Sequence, residues 1–469
     1  MQIHRIEVPG LAHYSYVVSS NGKAVVIDPK RDFDTYIKFA EAHNLTLTHI
    51  LETHIHADFA SGARALAQTA GADLWLSGHD EGEDFSYGFP HHEFRDGEEL
   101  IVGDLRFVAL HTPGHTPEHL SFVLHDKARA AHVPLAVFSG DFLFVGSLGR
   151  PDLLGDAATQ RLARELFRSV RERISQLPDG VAIYPAHGSG SLCGSGISES
   201  QQSTLGYERA ANSLLSEPSE QRFVKSVLGC PLPFPDYYRR MKRVNSAGPA
   251  PLSGVPGKIV IEPADLREAV KSNAAEVLDL RRPEAFGGAH ILNSFNIGEG
   301  QNLSMWAAWI LPYDRPIYLV GEETTDYEEA SRSLIRVGLD QIAGFLKGGI
   351  RSWIESGYEQ AHLPQVSVEE LDARKTQVYV LDVRNDGEWK NGHIEGAEHI
   401  PAGDLTKSAP KVARNKEIAV ICGSGYRSSI ACSILLREGF THTVNVAGGM
   451  GAWNARGLAT TNKELVCSS

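Results

Sequence analysis

Four short runs in the first half of the chain carry side chains that can give a lone pair to a metal ion. They are Thr53-His54-Ile55-His56-Ala57-Asp58-Phe59, Thr112-Pro113-Gly114-His115-Thr116, Ser139-Gly140-Asp141 and Tyr184-Pro185-Ala186-His187-Gly188. Imidazole and carboxylate together suit a divalent transition metal. Phe59 closes the first run with a ring that has no lone pair and so adds no ligand. Near the other end, Cys422-Gly423-Ser424-Gly425-Tyr426-Arg427-Ser428 offers a thiol inside a loop of small residues. That is the material for nucleophilic sulfur chemistry.

To meet in space, the four metal-binding runs must sit at one edge of a folded sheet. Each follows a strand-like stretch, as Thr48 to Glu52 runs into the His54 loop before a helix from Ser61. An α/β sandwich presents such post-strand side chains together. Cys422 follows the β-branched strand Ile418 to Ile421 and precedes a helical stretch. There, backbone N–H groups converge and the helix dipole favours an anion, so the thiol is expected to ionise readily. Gly423 and Gly425 let the loop curl into an anion-binding nest. Gly423, Ser424, Gly425, Tyr426, Arg427 and Ser428 are therefore the expected substrate contacts, with Arg427 adding positive charge at the rim.

The bulk composition excludes several classes. A chain of 469 residues exceeds what one core organises, and 42% hydrophobic with 22% charged residues is ordinary for globular domains. A net charge of -13 without a dense Lys/Arg stripe argues against nucleic acid. No run is apolar for long enough to span a bilayer, and Met1 to Val8 alternates like an opening strand instead of showing a secretory core. The odd, irregular set Cys193, Cys230, Cys422, Cys432 and Cys467 fits a reducing compartment, so a cytoplasmic location is expected. Cys193 either borders the His187 pocket or is a buried small residue, and Cys230, Cys432 and Cys467 have no assigned role. His91-His92 has no partner at ligand spacing and reads as a polar loop.

Ser246 to Gly257 is rich in small residues and proline and reads as a linker. Beyond it the chain repeats itself. Asp279-Leu280-Arg281 returns as Asp382-Val383-Arg384, Ala289-His290-Ile291 as Gly392-His393-Ile394, and Gly348-Gly349 with Trp353 as Gly448-Gly449 with Trp453. Three domains are expected, at 1–245, 258–361 and 362–469. The middle copy has Gly321 where Cys422 stands and Asp326 where Arg427 stands, while Glu322, Glu323 and Asp326 would repel thiosulfate.

The first domain resembles the metallo-β-lactamase fold, an αββα sandwich. Gly140-Asp141-Phe142-Leu143-Phe144 followed by Gly149-Arg150-Pro151-Asp152 is similar to the persulfide dioxygenase branch of that fold. The resemblance implies that His54, His115 and Asp141 hold one Fe(II) per chain, with open positions for substrate and O2. In hydrolytic relatives a second zinc would use Asp58, a histidine at 59 and His187, with Asp141 bridging. With Phe59 in place, His56, Asp58 and His187 are left to orient ligands or solvent. Arg150 would face an acidic thiol carrier, which glutathione, coenzyme A or another thiol satisfies.

The Cys422 loop, with Asp382-Val383-Arg384 before it and Gly448-Gly449 after it, resembles a rhodanese, whose cysteine carries a sulfane sulfur as persulfide. The middle copy resembles an inactive rhodanese. The order of domains is similar to persulfide dioxygenase–rhodanese fusions of sulfide detoxification. It implies oxidation of a low-molecular-weight persulfide to sulfite, coupled to sulfur transfer that forms or uses thiosulfate, in a homo-oligomer. Two other readings remain at this stage: a zinc-dependent thioester hydrolase fused to a rhodanese, and a sulfur carrier or sensor whose metal is structural.

Overall fold

The computed structural model describes residues 1–229, 232–252 and 254–462, so Cys230 and Cys467 lie outside the described residues. The chain divides into two compact units, the first made of residues 1–253 with 335–338 and the second of the remainder.

The first unit is built on two six-stranded sheets. One runs in order β1 (Gln2–Val8), β2 (His13–Ser20), β3 (Lys23–Ile27), β4 (Thr46–Leu51), β5 (Asp73–Ser77) and β6 (His92–Phe94). The other comprises β7 (Glu99–Val102), β8 (Leu105–His111), β9 (Leu120–Asp126), β10 (Ala136–Gly140), β11 (Ala182–Pro185) and β12 (Ser203–Thr204). Side chains alternate across each strand, as a period of two requires. Tyr16 and Val18 of β2 join Phe122 and Leu124 of β9 and Phe138 of β10 in the core between the sheets. The intervening Val17 packs outward with Tyr36 and Leu66 from the helices Asp34–Ala42 and Ala63–Ala70. Val123 and Val137 pack outward on the other face with Leu166 of the helix Asp156–Arg168. The result is the expected αββα sandwich.

Two local expectations shift. His92 opens the edge strand β6 and stacks on Trp75 at 4.8 Å, so the polar loop ends one residue early. The helix Tyr237–Ala247 runs into the stretch read as a linker, and Gly248, at φ +80°, ends it. Asn245 and Ser246 are buried, which irregular surface chain would not be.

The second unit contains two five-stranded parallel sheets with the same strand order. β13 (Val260–Ile261), β14 (Glu276–Asp279), β15 (Phe295–Asn296), β16 (Ile317–Val320) and β17 (Ile342–Leu346) are arranged β13-β17-β16-β14-β15. β18 (Gln365–Val366), β19 (Tyr379–Asp382), β20 (Glu398–His399), β21 (Ile418–Ile421) and β22 (Thr443–Val446) repeat that pattern. The repeated motifs have a structural cause. Arg281 pairs with Asp279 at 2.6 Å and donates to Ala289 O at 2.7 Å. Arg384 does the same with Asp382 at 2.6 Å and Gly392 O at 2.8 Å. Each arginine thus ties a strand end to the next turn. Among the described residues no helix is long and apolar enough to cross a membrane.

Candidate metal centre and cysteine loop

The strand ends β4, β8, β10 and β11 deliver His54, His115, Asp141 and His187 to one edge of the sandwich, and all four side chains are fully buried. One ligand atom each from His54, His115 and Asp141 lie within 4.8 Å of one another. Asp141 Oδ2 is 3.7 Å from His54 Nε2 and 3.4 Å from His115 Nε2. None of these three atoms has a hydrogen-bond partner. Three orphaned, buried, convergent lone-pair donors are what a bound cation would satisfy, so these residues fit a metal ion.

Neighbouring groups fix which nitrogen is free. Thr53 Oγ1 donates to Asp28 Oδ2 at 3.0 Å and therefore accepts from His54 Nδ1 at 2.9 Å. His115 Nδ1 donates to the Arg150 carbonyl at 2.9 Å, since a carbonyl can only accept. Both Nε2 atoms are left as lone pairs pointing inward. Burial, then the surrounding cationic and imidazole groups, holds both histidines well below the usual imidazole range, so both are neutral.

His187 is different. Its Nδ1 lies 2.6 Å from Asp141 Oδ1 and its Nε2 lies 2.7 Å from Asp58 Oδ2, so both nitrogens donate to carboxylates. Burial would lower its pKa, but Asp141 and Asp58 outweigh burial and hold it well above the usual value. His187 is thus an imidazolium with no lone pair to offer, and it fixes which Asp141 oxygen faces the other two histidines. Phe59 is fully buried beside it, its ring 4.4 Å from His56 and 4.1 Å from His13. His56 Nε2 is held at 3.2 Å by Asp28 Oδ1. Cys193 is buried here as well, with Sγ within 4.8 Å of ligand atoms of Asp58 and His187, so it borders the site. Burial, then Asp58 and Asp141, pushes its thiol well up.

Arg150 is 7% exposed and its guanidinium is fully engaged. It pairs with Asp152 at 2.6 and 2.8 Å and donates to the carbonyls of Leu192, Leu232 and Pro233 at 2.9 to 3.2 Å.

Several supporting residues escape sequence reasoning. His119 Nε2 accepts the Asp141 N–H at 3.0 Å, and its Nδ1 bonds to Thr112 Oγ1 at 2.9 Å. The helix Tyr237–Ala247 reaches the metal loop from far along the chain: Asn245 Nδ2 donates to His56 O at 2.8 Å and Phe59 O at 2.7 Å, and Oδ1 accepts from Ser61 N at 2.8 Å. Lys242 Nζ donates to Ile55 O at 3.0 Å. At Gly149 a Cβ would fall 1.8 Å from the Asp141 carbonyl, so only glycine lets the two loops approach. A histidine four residues after His115 is a usable sequence signal for His119; the other contacts have none, because they depend on tertiary docking.

In the second unit Cys422 closes β21 and is fully buried. Gly425 N donates to Sγ at 3.1 Å and the Ser428 hydroxyl lies 3.3 Å from it. The helix Tyr426–Arg437 starts directly behind. Gly449, at φ +56°, packs so close that a Cβ would meet Cys422 O at 2.4 Å, while Met450 N donates to that carbonyl at 2.7 Å. Arg427 makes a bidentate pair with Glu388 at 2.6 and 2.7 Å, so its charge is shared with a carboxylate from 39 residues upstream. At the equivalent point of the middle copy, a Cβ on Gly321 would come within 2.4 Å of Thr325 Oγ1, so the space of a side chain is filled.

Comparison with known proteins finds two kinds of family in different parts of the chain. Residues 8–187 match the metallo-beta-lactamase superfamily, and residues 262–356 and 366–456 each match the rhodanese-like domain. The chain is 30% identical over 224 residues to the hydroxyacylglutathione hydrolase GloC of Haemophilus influenzae, covering 44% of this chain and 93% of that protein. It is 29% identical over 234 residues to the mitochondrial persulfide dioxygenase ETHE1 of Bos taurus, covering 48% of this chain and 80% of the relative. Among solved structures, a metallo-beta-lactamase from Staphylococcus aureus aligns with a TM-score of 0.65 at 35% identity, over 74% of this chain and 98% of that one. That share is too large for the first unit alone, so the likeness continues into the rhodanese-like part.

Proposed function

Because the chain belongs to the metallo-β-lactamase superfamily and carries tandem rhodanese-like domains, we propose that it is a two-activity enzyme of sulfide detoxification, a ferrous persulfide dioxygenase joined to a Cys422 sulfurtransferase. The site geometry supports this reading. His54, His115 and Asp141 offer three free ligand atoms, while Asp58 and His187 are bonded to each other beside Phe59. A second ion would have to displace the His187 proton and, with no nitrogen offered at Phe59, take the buried Cys193 thiol beside Asp58 and His187 as its third ligand. Two histidines and one carboxylate make the face of non-haem Fe(II) oxygenases.

Fe(II) held there by His54, His115 and Asp141, one per chain, would let electrons pass from the persulfide sulfur, the reductant, to O2. The chain's own groups set the stage. Thr53 and the Arg150 carbonyl hold the two imidazoles in the ligating tautomer, His187 turns Asp141 Oδ2 inward, and burial keeps bulk water out. Persulfide, O2 and water yield thiol and sulfite. A carboxylate of the thiol carrier would reach Arg150 only by exchanging places with Asp152. At Cys422 a sulfane sulfur is held as Cys-S-S⁻ beside Gly425 N–H and Ser428. Passed to sulfite it gives thiosulfate, and the reverse step returns persulfide from thiosulfate and a thiol.

The likeness to the bovine persulfide dioxygenase supports this assignment. The likeness to hydroxyacylglutathione hydrolase supports a second reading, zinc-dependent thioester hydrolysis, against which Phe59, with no lone pair to offer, weighs. The test is oxygen uptake by anaerobically iron-loaded protein given glutathione persulfide. Rapid uptake with sulfite appearing, lost in His115→Ala and absent from zinc-loaded protein, is expected. No uptake, with zinc-supported cleavage of a glutathione thioester, would assign the protein to the hydrolases.

A further inference from the structure

We propose that the cysteine-less middle domain holds the Cys422 loop in its working geometry, with Asn296 as the positioning residue. This rests on the reading of Cys422 as a sulfur-transfer nucleophile.

Two side chains of the loop and its helix are anchored in the middle domain. Tyr426 OH donates to Gly298 O at 3.0 Å, and Ser429 Oγ donates to Asn296 Oδ1 at 2.5 Å. Asn296 is buried to 1% exposure. Its Nδ2 gives both hydrogens to carbonyls, Asp279 O at 3.2 Å and Arg281 O at 2.9 Å, so the amide cannot flip and Oδ1 is fixed as the acceptor facing Ser429. Tyr426 and Ser429 are three residues apart and share one face of the first helical turn. The groups that touch the sulfur flank these anchors: Gly425, whose N–H reaches Sγ at 3.1 Å, precedes Tyr426, and Ser428, whose hydroxyl lies at 3.3 Å, precedes Ser429. Moving the anchors therefore moves the sulfur's own partners.

The repeat supplies an internal control. Asn296 pairs with Asp279 across β15 and β14 as His399 pairs with Asp382 across β20 and β19. His399 Nε2 bonds to Arg384 O at 2.7 Å and its ring stacks on Trp389 at 4.7 Å. Asn296 makes the equivalent bond to Arg281 O and has an acceptor left over, which it directs at the neighbouring copy. A passive spacer has no need of that extra group.

In loading, the Cys422 thiolate attacks the outer sulfur of thiosulfate. A Cys–S bond to that sulfur forms, the S–S bond of thiosulfate breaks, and sulfite leaves with the electron pair, so there is no net oxidation. The rate of such a displacement depends on the direction in which Sγ points, more than on how tightly thiosulfate is held.

The test uses the full chain and measures sulfite released in a single turnover with thiosulfate. Asn296→Ala removes the bond to Ser429 and two bonds inside the middle copy, and through the bond to Ser429 it is expected to slow loading about fivefold, with half-saturating thiosulfate changed by less than about twofold. Ser429→Ala should match it, and the double variant should be no slower than either single, because the bond that both remove is the one that reaches the helix behind Cys422. Arg437→Ala breaks other contacts between the same two copies, the 2.8 Å pair with Glu276, the bond to Asn293 O and the packing over Phe295 at 4.0 Å, while sparing the Asn296–Ser429 bond, and should leave loading unchanged. Wild-type rates in Asn296→Ala and Ser429→Ala, additive losses in the double variant, or equal slowing in Arg437→Ala would overturn the positioning role. Wild-type protein that releases no sulfite would instead overturn the sulfur-transfer reading, and the positioning role with it.

Discussion

At the scale of single residues, the first domain is decided by Phe59 and by the proton on His187. Phe59 is fully buried against His13 and His56, and under the proposed function it leaves a second ion without a nitrogen ligand at that position. Phe59→His should lower stability by about 2 kcal/mol, the usual cost of shrinking a packed core residue and adding a polar one. It should also raise zinc uptake above one ion per chain; urea unfolding and metal analysis check the two outcomes. Gly149 is as restrictive in the opposite sense, because a Cβ would sit 1.8 Å from the Asp141 carbonyl. Gly149→Ala is expected to cost about 3 kcal/mol through forced displacement of the Asp141 loop and to lose most bound metal, measured by thermal unfolding and iron content. In the last domain Glu388 is the residue to watch. Glu388→Gln removes the charge that Arg427 faces at 2.6 Å and should change the half-saturating thiosulfate concentration in sulfite-release assays more than the maximal rate.

At the scale of elements, strand ends carry the chemistry and one distant helix supports it. Asn245 satisfies three buried backbone groups of the metal loop, so Asn245→Ala should destabilise the first domain by about 2 to 4 kcal/mol. The same change should weaken metal binding by about tenfold or more, readable in a chelator competition. These contacts also mark the limit of what the sequence conveys. The strands Ile317–Val320 and Ile418–Ile421 lie where their β-branched runs place them, and the four metal-binding runs follow strands as expected. Local hydrophobic pattern and motif spacing are enough for that. Lys242 and Asn245 belong to a largely polar helix in which nothing local marks them for burial, and Ser246 and Ala247 look like linker because small residues are ambiguous out of context. The Arg427–Glu388 pair and the Asn296–Ser429 bond join residues 39 and 133 positions apart. No periodicity reports contacts of that range.

At the scale of the whole molecule, the proposed function puts two sulfur chemistries on separate sets of residues. Cys422→Ser should abolish sulfite release from thiosulfate while leaving oxygen uptake with glutathione persulfide intact. His115→Ala should do the reverse. The resemblance of the domain order to sulfide-detoxifying fusions gives the pairing its sense, since sulfite from one activity is an acceptor for the other. The central claim is that the first domain adds O2 to sulfur, and isotope labelling tests it most directly. Iron-loaded protein is given glutathione persulfide under ¹⁸O2, and the sulfite is trapped at once and weighed by mass spectrometry. Both labelled atoms of O2 should appear in the sulfite. Sulfite without label, or none alongside zinc-dependent thioester cleavage, would contradict the dioxygenase.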